Sequence, residues 1–382
     1  MDRDKQSDTE PGLAAQIAEP SAIGRPAGPA REKPTSVFEF WPTWLMYLPV
    51  AILWLALAVR YRSLTLPLTA NPRIPLSGMV GSSKAGIFAQ AGGSCAAAIL
   101  PWLVHRKSAA AVAEQVEAVI VAARSRGIHF PFVCKPDIGC RGAGVKLVVD
   151  EQALTQALAA YPRDAGVVVQ KLSSHTAEAG IFYVREPRQQ RGRITSLTLK
   201  ETPAVRGDGV STVAELVRRD PRAGRLEHLY AARNRDHWHR VIPGGTTYPL
   251  LFSASHCRGA VFRDGRAHIT PALTDAVDRM MQDLPEFHYG RLDVKFADLT
   301  RLEAGESIEI VEINGASAES IHIWDRDARL TDAIGTLLWQ YRTLFRLGHA
   351  MRARGAVPPP LSSLLAAWRH ERRLTALYPE TD

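Results

Sequence analysis

Lysine is scarce in this chain: of 47 basic side chains only 9 are Lys, leaving 38 Arg. The basic residues are scattered, and no Lys/Arg-rich run is interleaved with aromatics. RNA or DNA binding therefore lacks its usual footprint. A net charge of +8 and a pI near 9.4 still favour anionic partners, either small acidic substrates or an anionic membrane surface. Cysteine is also rare. Cys95, Cys134, Cys140 and Cys257 form no C-x2-C pair, which removes the common zinc and dithiol patterns. They read as buried or incidental thiols of a reducing compartment. There is no Gly-Lys-Ser/Thr P-loop and no dinucleotide fingerprint. No strained nucleophile elbow surrounds Ser211, so Ser211 and His256 do not make a hydrolase. No internal repeat and no cleavable signal are visible.

With 46% hydrophobic and 23% charged residues, the composition is globular. Residues 1–36, rich in Pro, Ala, Gly and charge, read as a disordered tail. Phe40 to Val59 carries no charge and holds Trp41, Trp44, Tyr47 and Trp54. Such a run can cross a hydrocarbon core of about 30 Å, so residues 37–62 are expected to be a membrane segment. Pro42 and Pro49 leave a kinked or re-entrant course open, and the balanced flanking Arg residues do not fix orientation. Residues 63–108 read as a Gly/Pro/Ala-rich linker. Residues 109–330 alternate helical and strand patterns, and 331–382 are expected to be C-terminal helices and a tail. Thr212 and Glu215 have capping-box spacing.

Chemistry concentrates in four places. In Gly290-Arg291-Leu292-Asp293-Val294-Lys295-Phe296 and Ile310-Val311-Glu312-Ile313-Asn314, polar residues recur on one strand face. A hairpin centred near Leu302 and Glu303 puts Asp293 opposite Glu312 and Arg291 opposite Asn314. Two carboxylates and an amide are oxygen ligands suited to Mg2+. Upstream, Lys135 ends a strand before a loop containing Gly139, Gly142 and Gly144. Glycines let backbone N–H groups close on phosphate, and Lys135 adds a cation. An ordinary hairpin turn would use the same glycines. Lys135, Lys171 and Lys200 are notable in an Arg-rich chain, because a compact ammonium suits a tight phosphate site. Glu178 follows the strand end Gln170-Lys171-Leu172.

In this order, the Lys-Pro with its glycine loop, the strand end with its downstream Glu, the lone Lys200, Arg-Leu-Asp and Glu-Ile-Asn resemble the ATP-grasp superfamily. That superfamily of carboxylate–amine ligases includes D-alanine–D-alanine ligase-like and cyanophycin-synthetase-like members, and the likeness spans roughly Ala109 to Ala328. Gly207-Asp208-Gly209 with the helix after it is similar to the loop of the cyanophycin type. The resemblance implies an α+β fold, with ATP between two α+β lobes, preceded here by a membrane helix. It implies that Lys135, Gly139, Arg141, Gly142, Gly144 and Lys200 meet the phosphates. Lys171 and Leu172 would face adenine, and Glu178 the ribose. Asp293, Glu312 and Asn314 would hold Mg2+, and Arg291 and Lys200 would serve catalysis. A second phosphate lysine is usual, with Lys84 and Lys107 as candidates.

The resemblance further implies a ligase that joins a carboxylate to an amine through an acyl phosphate. Such an enzyme would sit at a bacterial-type inner membrane with its catalytic domain cytoplasmic. Arg185, His256 and Arg258 are candidate substrate contacts. The histidines between Arg233 and Arg258 match no zinc spacing. A catalytically silent nucleotide-binding membrane module and an ATP-dependent phosphotransferase are the alternatives.

Overall fold

The computed structural model describes residues 38, 41–139, 142–251 and 260–382. The expected N-terminal tail, Arg141, His256 and Arg258 lie outside the described residues. The chain opens with α1 (Thr43–Tyr61), a continuous helix that includes Pro49. Two short helices follow, α2 (Lys84–Phe88) and α3 (Gly93–Ala98).

The first lobe is built from β1 (Trp102–Arg106), α4 (Val112–Arg124), β2 (Phe132–Pro136), β3 (Lys146–Val148), α5 (Glu151–Ala160) and β4 (Gly166–Lys171). Its antiparallel sheet has the order β1-β4-β2-β3. Apolar positions of α4 and α5, such as Val116, Val119, Leu154 and Leu158, pack on Phe132, Val167 and Val169. The Asp150 side chain caps α5 by accepting from Ala153 N.

The second lobe begins with β5 (Ala177–Val184) and β6 (Arg193–Glu201). An insertion follows: β7 (Ala204–Arg206), α6 (Val213–Arg219), α7 (Glu227–Arg233) and β8 (Thr247–Pro249) surround a small core of Val213, Val217, Tyr230 and Trp238. Thr212 and Glu215 form the expected capping box on α6. Then come β9 (Val261–Asp264), α8 (Pro271–Gln282), β10 (Tyr289–Phe296), α9 (Leu299–Glu303) and β11 (Ile308–Asn314). The five-stranded antiparallel sheet runs β11-β10-β5-β6-β9.

Side chains alternate across a strand, and this sheet uses the alternation fully. Ala179, Ile181, Tyr183, Leu197, Leu199, Leu292, Val294 and Phe296 enter one core with Leu273, Val277 and Met281 of α8. The opposite face carries the intervening polar residues. Part of that face is covered by α10 (Leu330–Arg352), whose Leu344 and Leu347 join Phe182 and Tyr289. The rest of that face holds the charges, of which Asp293 and Lys200 are buried.

Residues 63–108 are no loose join. Ile74, Ile87, Phe88, Cys95 and Ile99 belong to the main core, and β1 pairs with β4. Their low periodicity hid this. Much of their hold is polar or steric: Gly315 lets the backbone of Ser77 approach so closely that a Cβ there would sit 2.2 Å from Ser77 O.

On one side α1 packs against α10, where Met46 and Val50 meet Ala333 and Leu337. Its Trp54 ring lies edge-on to Tyr341 and Phe345. The other side exposes Trp44, Leu48, Ile52, Leu55 and Val59. By length and composition alone α1 can cross a membrane. The chain closes with α11 (Leu361–Thr375), none of whose residues is buried.

Candidate active site

β10 and β11 form the expected antiparallel pair, with Asp293 opposite Glu312 and Arg291 opposite Asn314. A bulge follows Asp293, so that Val294 pairs with Ile310 and Val311 is the extra residue. The bulge explains why Ile310 and Ile313 both remain in the core. The connection is more than a polar turn, because Asp298 caps α9 within it.

Across the sheet, Glu178 pairs with both Lys295 and Lys200, and Gly180 pairs with Asp293. Register alone therefore gathers four charged residues from three strands. Lys200 Nζ lies 2.7 Å from Glu178 Oε1 and 3.0 Å from Asp293 Oδ1. Lys295 Nζ lies 3.0 Å from Glu178 Oε2. Arg291 grips Asp293 with two donors, Nε at 2.9 Å and Nη2 at 3.1 Å. Asn314 Nδ2 donates to Asp293 Oδ2 at 3.1 Å. Gly180 lies beneath this pair, and a Cβ there would come within 3.1 Å of Arg291 Cδ.

Two further lysines reach the cluster, Lys135 from β2 and Lys84 from the start of α2. Lys135 Nζ donates to Gln170 Oε1 at 2.7 Å and across the lobes to Val311 O at 2.7 Å. Lys84 Nζ donates to Gly139 O at 2.9 Å and lies 3.5 Å from Glu312 Oε1. Of the two upstream candidates, Lys84 is thus at the site. Lys107 makes no ion pair among the described residues. Lys84 is held there by Asp137, whose carboxylate accepts from Ser83 Oγ at 2.7 Å and Ala85 N at 2.8 Å.

The charges tune one another. Burial alone would raise the Asp293 carboxyl, but Arg291 and Lys200 outweigh it and hold the group well below the usual carboxylate range. Burial is likewise outweighed at Glu178, lowered by Lys200 and Lys295, and at Lys200, raised by Asp293 and Glu178. Lys135 behaves differently. Burial dominates there, and its pKa is pushed down to about 8 although Glu312 opposes the change.

Gly139, Gly142 and Gly144 all adopt positive φ, at 155°, 68° and 71°, which is why glycine is needed there. Lys171 is exposed at the end of β4, and Leu172 begins the crossing between lobes. Arg185 stands apart. It lies five residues beyond Gly180, about 16 Å along the strand direction, and its guanidinium donates to Phe287 O. Its expected clamp with Arg258 involves a residue outside those described. The buried thiols Cys95 and Cys134 are not in the charged cluster, and burial raises both.

Sequence reasoning missed Gln170 as the partner of Lys135, Asp137 as the anchor of Lys84, and the role of Lys295. The scarcity of lysine was the available signal for Lys84 and Lys295.

No protein-family model matches this chain, and no curated protein matches it. Among solved structures, a bifunctional glutathione synthetase from Pasteurella multocida aligns at 15% identity and a TM-score of 0.35. That alignment covers 67% of this chain and 36% of that one, so this chain spans about a third of its length. The D-cycloserine synthetase DcsG aligns at 14% identity and a TM-score of 0.36, over 69% of this chain and 70% of that one. The VanG D-Ala:D-Ser ligase from Enterococcus faecalis aligns at 11% identity and a TM-score of 0.38, over 70% of this chain and 64% of that one.

Proposed function

We propose that this protein is an ATP- and Mg2+-dependent ligase of the ATP-grasp type that joins a carboxylate to an amine. The observation that carries the reading is the cluster on one sheet face. Asp293 and Glu312 lie opposite each other, Arg291 and Asn314 beside them, with Lys84, Lys135 and Lys200 around them. Cations outnumber carboxylates there, which suits a polyphosphate.

The donor set fits Mg2+, a hard ion that takes one or two carboxylates and shares phosphate oxygens. Among the described residues no cluster of three or more His, Cys, Asp or Glu could hold a metal unaided. Asp293, Glu312 and Asn314 would hold the ion. When bound it would draw charge from the phosphate oxygens.

Lys84 and Lys135 would pair with phosphate oxygens, Lys200 would reach the terminal phosphate, and the glycine loop would supply N–H groups. Lys171 and Leu172 would border adenine, and Glu178 would meet the ribose after releasing one lysine. A substrate carboxylate oxygen attacks the γ-phosphorus as the bond to ADP breaks. Arg291 stabilises the charge on the transferring group. The amine would then attack the acyl carbon and lose a proton to solvent as the C–O bond to phosphate breaks, giving an amide and phosphate beside the ADP. In the phosphotransferase alternative the phosphorylated product would persist. In the silent-module alternative ATP would bind without turnover.

The test is ADP release by the purified chain over a panel of carboxylates and amines, with product masses. An amide product and loss of ADP release in Glu312→Ala support the reading. A stable phosphorylated product, or ATP binding with no ADP across the panel, contradicts it.

Lys135 gives a pH signature. Phosphate pairs with its ammonium, so ATP affinity is expected to weaken as pH rises through about 8. The stability effect has the opposite sense. Between about 8 and its ordinary 10.5 the folded chain binds fewer protons than the unfolded one. This group's cost to folding is therefore full below that window and fades across it. Calorimetric ATP titrations from pH 7 to 9.5 check the binding effect, and Lys135→Arg should flatten the profile.

The outward stripe of α1, uncharged and bearing Trp44, is the basis for reading it as a membrane contact. Co-flotation with anionic phospholipid vesicles is expected, and its loss in the double variant Leu48→Glu/Ile52→Glu. A wild-type chain that stays with the soluble fraction contradicts it.

A further inference from the structure

The segment Tyr378–Asp382 lies across the flanks of the glycine-rich loop. The Tyr378 hydroxyl donates to Ile138 O at 2.6 Å, and Thr381 Oγ1 donates to Gly142 O at 2.6 Å. Val145 N donates to Thr381 Oγ1 at 3.3 Å. Asp382 N donates to Val145 O at 3.1 Å. The Asp382 carboxylate accepts from Leu147 N at 2.8 Å and from Lys146 Nζ at 2.6 Å.

These partners are no accident of proximity. β3 is the edge strand of the first sheet, so its outer N–H and C=O groups need partners. The segment supplies partners to Val145, just before β3, and to Leu147, one through its backbone and the others through side chains. Two loop glycines make room for it. A Cβ on Gly139 would lie 3.3 Å from Tyr378 Cε2, and one on Gly144 would lie 3.1 Å from Tyr378 Cβ and 2.9 Å from Pro136 Cγ. From the other side Tyr161 donates to Gly144 O at 2.5 Å. The connection reaches the Lys84 turn as well, because Glu371 of α11 accepts from Gly81 N at 2.6 Å. α11 buries no residue of its own; the segment is seated by these polar contacts and by Tyr378, which packs against the first lobe's core and edge-on to Tyr161.

We propose that residues 378–382 form a strap that fixes the flanks of the glycine-rich loop in their phosphate-facing shape. Tyr378 and Thr381 are then positioning residues for the nucleotide. The inference rests on the reading of that loop as a phosphate site. It concerns how the loop is held, by a segment distant in sequence.

The test uses the full chain, a deletion of residues 378–382, Thr381→Ala, and Thr381→Ser as the conservative rescue. Amide exchange at Val145 and Leu147 is measured alongside KM and kcat for ATP. Loss of the strap is expected to speed exchange at both amides at least about tenfold. It should raise the KM for ATP about tenfold, with kcat within about twofold, as for one lost positioning hydrogen bond. Thr381→Ser should restore both. Wild-type exchange at Val145 and Leu147 in a folded variant overturns the proposal, as does faster exchange with unchanged KM. If the deletion does not fold, Thr381→Ala gives the exchange reading at Val145 and the KM reading. If the wild type neither binds nor turns over ATP, the ligase reading fails, and the exchange rates alone decide whether the strap holds the loop.

Discussion

Replacing Asp293 with alanine is expected to remove ATP turnover and to cost about 3–5 kcal/mol of folding stability. Asp293 is buried and accepts from Arg291, Lys200 and Asn314. Lys200 keeps Glu178 at 2.7 Å, but half-buried Arg291 loses its bidentate partner and keeps only the Glu319 carbonyl. An uncompensated buried charge is what makes breaking such a cluster expensive. Urea unfolding should show a lower midpoint with little change in slope. Asp293→Asn keeps the shape and should cost less stability while still losing turnover, because a charge proposed to hold Mg2+ is gone. The pH sense follows from the depressed carboxyl. Its stabilisation is intact above the ordinary value of 3.8 and is lost as acid takes the pH down through the folded value. A folded Asp293→Ala chain with more than a tenth of wild-type turnover would contradict this.

The second large effect is expected from an uncharged residue. Asn71 is fully buried, and its side chain satisfies four backbone groups. Its Oδ1 accepts from His288 N at 2.8 Å and Tyr289 N at 3.0 Å. Its Nδ2 donates to Tyr289 O at 2.8 Å and Ser77 O at 3.3 Å. Asn71→Ala leaves buried backbone groups unpaired, each worth about 1–3 kcal/mol, so a loss of about 3–5 kcal/mol is expected once the site relaxes. For a chain of this length that corresponds to a fall in Tm of roughly 6–15 °C. Because Tyr289 opens β10 and Asp293 lies four residues on, ATP affinity should weaken in the fraction that stays folded. Thermal unfolding within about 1 °C of wild type would show that Asn71 does not anchor β10.

The most legible part of the sequence was the hairpin of β10 and β11. Both strands carry polar residues at every second position, so one register buries the apolar set and aligns Asp293 with Glu312. The bulge at Val311 was not legible, because an extra residue leaves no trace in an alternating pattern until its partner strand is known. Helices with strong periodicity, such as Pro271–Gln282, stood out for the same reason as the hairpin. Residues 63–108 did not, since Gly, Pro and Ala carry little period and much of their hold comes from Asn71 hydrogen bonds and the close approach at Gly315. Lysine scarcity pointed toward Lys135 and Lys200, and the same logic extends to Lys84 and Lys295, which meet them only through the tertiary fold. The strap at 378–382 is likewise a tertiary fact: Tyr378 and Thr381 are ordinary residues until β3 is seen to be an edge.

The central claim is that one sheet face, closed by Lys84 and Lys135, is a Mg2+-dependent ATP site. The most direct measurement is calorimetric titration of ATP into the full chain, with and without Mg2+, in wild type, Lys200→Ala and Glu312→Gln. Saturable binding that strengthens with Mg2+, weakens in Lys200→Ala and loses its Mg2+ dependence in Glu312→Gln is the predicted result. No saturable binding to the folded wild type, or binding indifferent to both substitutions, would contradict it.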